Sequence, residues 1–185
     1  MYAAWENEQM SMSTRELWVT FHGMVFGGVF LLAYSAGALA LWGLTGSSLT
    51  VSGLKERLLF LRLCTLGMAA LAWLTAISGA FVAYPWYRKI PPAGADLAFY
   101  PQALLKANPL LHEWHFFGME WKEHVAWLAP IAATAVAYAV WKHGSVLAKD
   151  DRLRKAVLLM HTAAFAAATV AGGLGALITK AAPIR

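Results

Sequence analysis

The sequence predicts an all-α integral membrane protein, a bundle of four transmembrane helices with both termini on the same, outer side. Three observations predict it. Hydrophobic residues make up 59% of the 185 and charged residues only 14%, with a mean hydropathy of +0.53, so the chain has too little polar surface to cover its apolar residues. Charge-poor runs fall at about 17–44, 58–84, 123–141 and 156–179, each near the ~20 residues that cross a bilayer as a helix. Lys and Arg crowd the short loops of one side, as the positive-inside rule requires of the cytoplasmic face.

The elements follow in order within a single membrane domain, 1–185. Residues 1–12 are polar and methionine-rich, a surface tail. Ser13 to Glu16 has the S-x-x-E form of a capping box and starts the first helix. Trp18 and Trp42 mark its interfacial ends, and His22 lies within it beside Gly23, Gly27 and Gly28, with Gly37 further on. No cationic region or A-x-A-like cleavage signal precedes this span, so it is expected to be a retained helix. After the small polar loop Thr45–Thr50 come Lys55, Glu56 and Arg57 and then the second span. That span carries Arg62, which snorkels outward, and Cys64, the single cysteine, which excludes an intramolecular disulfide. The span exits at Tyr84-Pro85-Trp86-Tyr87-Arg88-Lys89.

The connection over 85–118 is rich in proline and aromatics, and loops of such length usually have a function or pack as a cap. His112, Glu113 and His115 are expected on an interfacial helix or on an extension of span three. Pro130 should kink span three by removing one backbone donor. The fourth span carries Ala164, Ala168, Gly172 and Ala176 at four-residue spacing, a stripe that lets a neighbouring helix approach.

With the N-terminal side termed A and the other B, side B holds eight basic and three acidic residues, a surplus of five. Side A balances seven against seven. The net charge of +5 thus belongs to topology. No basic run is interleaved with aromatics in a soluble domain, so nucleic acid is not a partner. The absence of G-x-S-x-G, P-loop, H-E-x-x-H and C-x-x-C-H motifs gives no support to hydrolase, nucleotide, zincin or c-type haem chemistry.

Ionisable residues inside a bilayer are kept for a reason. Taking the centre of each apolar run as the bilayer centre, His22 and His124 both lie roughly 12–13 Å toward side A. Two imidazoles at one level on different helices suit the axial ligation of haem b, with Lys122 as a propionate contact. His161 lies roughly 10 Å toward side B; it is the candidate ligand of a second haem, with Arg62 as its propionate contact and Cys64 and Met68 as neighbours. Glu120 and Glu123 beside His124 suit proton exchange with a quinol. With His112 and His115 they also form a candidate metal site, although a solvated helix entrance explains the same charges.

At the level of His22, His124 and His161 on four helices, the chain resembles membrane-embedded b-type cytochromes, such as the anchor subunits of quinone-linked oxidoreductases. The resemblance implies an electron-transfer subunit, quinol-linked, working among other membrane subunits of a respiratory or photosynthetic complex in the bacterial inner membrane. It implies an electron carrier more than a stand-alone enzyme. Two other readings stay open: a cofactor-free structural or assembly subunit, and a pigment-binding subunit.

Overall fold

A computed structural model of the protein describes residues 12–45 and 50–184. The N-terminal tail, with Glu6 and Glu8 of the side A count, most of the first loop and Arg185 lie outside the described residues. In chain order the helices are α1 Thr14–Trp42, α2 Val51–Tyr87, a short α3 Pro101–Ala107, α4 Trp114–Leu147 and α5 Asp151–Ala181. The four long ones are each apolar enough to cross a membrane, and no strand occurs among the described residues.

Three of the four long helices begin on a side-chain cap, α4 being the exception. The capping box at Ser13 forms as expected: its Oγ accepts from the Glu16 amide at 3.2 Å and the Glu16 carboxylate accepts from the Ser13 amide at 2.8 Å. Thr50 caps α2 through Gly53, and Asp150 caps α5 through the amides of Arg152 and Leu153. The helices overrun the hydropathy boundaries because charged residues end an apolar run without ending the backbone pattern. Thus α2 starts at Val51 and not near residue 58, α5 at Asp151 and not near 156, and α4 at Trp114 and not near 123. His115 therefore belongs to an extension of span three.

The break expected from Pro130 lies one turn earlier, at Ala126–Trp127. Proline supplies no N–H to the carbonyl four residues back. A second irregularity falls at His143, whose backbone leaves the helical region (φ −119°, ψ 16°).

The helices pack in a ring, α1 on α2, α2 on α4, α4 on α5, and α5 back on α1 across the loosest of the four seams. Inside, three apolar clusters stack along the bundle. Leu41, Leu61, Val136, Val140 and Leu147 fill the side B end. Phe30, Met68, Ala69, Ala72, Ala133 and Ala164 form a central plug. Tyr87, Leu105, Met119, Ile178 and Ala182 close the side A end, where α3 and the long connection fold over as a cap.

A candidate polar site at side A

Among the described residues, three long helices carry a π-helical turn, and all three turns sit at side A: Phe21–Val25 in α1, Gly79–Ala83 in α2 and Trp114–Met119 in α4. Such turns insert an extra residue, re-aim the side chains around them and concentrate at functional sites. Here they frame one polar layer.

His22 stands in the first π turn. Its Nδ1 lies 3.0 Å from Ser78 Oγ, and that hydroxyl spends its own hydrogen on the Thr75 carbonyl at 3.2 Å. Ser78 must therefore accept, Nδ1 carries the proton, and Nε2 keeps a free lone pair in the neutral ring. The imidazole fits over the next residue, Gly79: a Cβ there would fall 2.7 Å from His22 Cε1. Glycine makes the seat for the histidine.

From α4, Lys122 reaches into the same layer. Its aliphatic stem lies in a notch at Gly175 of α5, where a Cβ would meet Lys122 Cε at 2.8 Å, and its ammonium acts electrostatically on His22. The neighbouring Glu123 turns toward α2, beside the hydroxyl of Tyr84, whose ring stacks over Arg88. Glu123 Oε1 is buried and has no hydrogen-bond partner. Below the cap, the Tyr87 hydroxyl and His115 Nδ1 pair at 2.8 Å, both residues buried.

His124 takes another direction. It is exposed, and its Nδ1–H donates to the Glu120 carbonyl at 2.7 Å, one turn back on its own helix. Phe117, Trp121, Leu128 and Ile131 on that side of α4 are all exposed as well, so His124 belongs to the outer face. The packing brings Lys122, and not His124, to His22. It does not place the two imidazoles as axial ligands of one porphyrin inside the bundle. Glu120 is exposed, and His112 is engaged by the Pro109 carbonyl and Glu113. No group of three or more His, Cys, Asp or Glu able to hold a metal ion assembles among the described residues.

His161 is fully buried on the side B half. Its Nε2 donates to the Tyr34 carbonyl at 3.1 Å, its ring stacks on Tyr34, and Nδ1 has no partner. Gly37 seats it closely, since a Cβ there would fall 2.9 Å from Nε2 and 3.7 Å from the Cys64 Cβ. Cys64 is thus a neighbour, as the depth estimate suggested. Arg62 donates to the Trp141 carbonyl at 3.3 Å and lies over that indole, which anchors it to α4.

Sequence reasoning missed Ser78, Gly79, Tyr84, Tyr87 and Gly175. The Ser-Gly pair near the end of an apolar span was the available signal. The chain matches no protein-family model, no curated protein and no solved structure.

Proposed function

We propose that this chain is an integral membrane subunit of an electron-transfer complex, and that its side A layer binds the headgroup of a quinol and takes up its protons. The observation that carries this reading is the position of the layer. His22, Lys122 and Glu123 lie between two apolar clusters, the central plug and the side A cap, so a ligand arrives most directly sideways, from the lipid. A Cβ at Gly23, Gly27 or Gly28 of α1, or at Gly172 or Gly173 of α5, would meet nothing within 4 Å, so uncrowded backbone adjoins His22 and the Gly175 notch along both helices. A lipid-soluble ligand with a small polar head fits such access better than a water-soluble one.

The functional groups match a quinol's two states. Lys122 offers donors to a quinone carbonyl, while Glu123 and the free Nε2 of His22 accept from the hydroxyls of a quinol. Oxidation of the quinol releases two protons and two electrons. The protons go to Glu123 and His22, and from Glu123 past Tyr84 to the exposed Arg88 rim; the electrons go to a redox centre of a partner subunit. The central plug seals the layer from side B, so protons leave toward side A. With the basic surplus of side B held inside, side A faces outward, with both termini on that side, as in a bacterial inner membrane.

The tautomers favour a second reading, haem b. His22 and His124 each donate Nδ1–H to a fixed acceptor and leave Nε2 free, the pattern of a metal-ligating histidine with its outer-shell partner. His22 would hold such a group through Nε2, and His124 would join it only if its face of α4 turned toward α1.

Titration of the purified chain with a short-chain benzoquinone, followed by tryptophan fluorescence, tests the first reading. Saturable quenching weakened about tenfold, or 1.4 kcal/mol, by Lys122→Met or Glu123→Gln supports it, and unsaturable quenching overturns it. A reduced-minus-oxidised visible spectrum with a haem band lost in His22→Ala establishes the second. A chain with neither property is a packing subunit.

A further inference from the structure

At the side B end, α1 and α5 line a cavity of about 140 Å³ formed by Leu41, Trp42, Asp151, Arg154, Lys155 and Leu158. From its architecture we infer that it is a binding site for one anionic phospholipid, with the phosphodiester on Lys155 and Arg154 and the acyl chains descending the α1–α5 seam. Its floor is apolar, with Leu41 fully buried, and its mouth is charged. Trp42, 75% exposed, stands beside it at the level where indoles meet headgroups.

The charges are arranged to receive an anion. Asp151 holds Arg154 and Lys155 together, Lys155 Nζ at 2.7 Å. Arg154 also caps the end of α4 by donating to the Leu147 carbonyl at 3.1 Å. Arg57 donates to the carbonyl of Gly43, the residue after Trp42, at 3.0 Å. Two cations of the lining therefore share one carboxylate, a surplus of one positive charge that a single phosphodiester neutralises. The Lys155–Asp151 pair is exposed, with side chains 73% and 55% accessible, and such pairs contribute only about 0–1 kcal/mol, so Lys155 is free to turn to a phosphate. The volume is small for a drug-sized ligand, whose pockets run about 300–1,000 Å³, but adequate for a headgroup whose tails lie outside in the bilayer. The α1–α5 seam is the loosest in the ring, which leaves the tails a furrow.

The test is native mass spectrometry of the full chain released from detergent after exchange into phosphatidylglycerol or phosphatidylcholine. One phosphatidylglycerol should be retained at several-fold lower lipid concentration than phosphatidylcholine. Lys155→Gln should erase most of that preference, and Lys142→Gln, an exposed cation elsewhere on side B, should leave it intact. Because Arg154 also holds a helix end, Arg154→Lys serves as the second variant, expected to weaken retention without unfolding the chain. Equal retention of the two lipids, or equal losses in Lys155→Gln and Lys142→Gln, overturns the site. Displacement of the lipid by millimolar inorganic phosphate overturns the lipid as its occupant.

Discussion

Replacing Gly79 by alanine tests whether His22 sits where the polar layer requires. The new methyl would lie 2.7 Å from His22 Cε1 and 3.3 Å from Nε2, well inside ordinary van der Waals contact. The ring must retreat, and because Ser78 is the preceding residue on the same helix, retreat from one weakens the 3.0 Å bond to the other. Overpacking costs about 1–3 kcal/mol and a lost hydrogen bond about 0.5–1.5 kcal/mol, while alanine gains back about 1 kcal/mol of helix propensity over glycine. The expected result is a net loss of about 0.5–3.5 kcal/mol from these same terms. Gly28→Ala, where nothing lies within 4 Å, supplies the propensity gain without the clash and should stabilise. Equilibrium unfolding of both variants in mixed micelles, followed by helical circular dichroism, measures the difference. A Gly79→Ala chain as stable as Gly28→Ala would refute the placement of His22.

Three further predictions follow from the same packing. Gly37→Ala, with its methyl 2.9 Å from the fully buried His161 ring, should cost about 1–3 kcal/mol in the same unfolding assay. Lys122→Met keeps a long apolar side chain in the Gly175 notch and removes an ammonium; it should leave the unfolding midpoint unchanged or raised, while quinone binding weakens. Tyr87→Phe strips the buried partner from His115 and should cost about 1–3 kcal/mol, read as a lower unfolding midpoint with the binding constant little changed.

The four helices were legible in the sequence because an apolar run long enough to cross a membrane can satisfy its backbone groups there only within its own helix. The capping box at Ser13 and the Pro130 break were equally local. Helix ends were less so: Lys55 and Arg57 read as a loop, yet a charged first turn remains helical. The site was half legible. Depth along each helix follows from the rise per residue, and it put His22 toward the side A end of α1. Facing does not follow from depth, because each π turn shifts the register by one residue, about 100° around the helix. That turn in α4 lies just before His124, which faces outward while Lys122 faces His22. Ser78 and Gly79 act only through a neighbouring helix, and no pattern within α2 alone marks their partner.

The measurement closest to the central claim is photo-crosslinking of membranes containing the full chain with an azido-quinone, followed by peptide mapping. The account predicts a saturable label, displaced by unlabelled quinone, on α1 around His22–Gly28 and on α5 around Gly172–Gly173, and reduced in Lys122→Met. A label that does not saturate, or one spread over the lipid-facing leucines of both membrane halves, would contradict it.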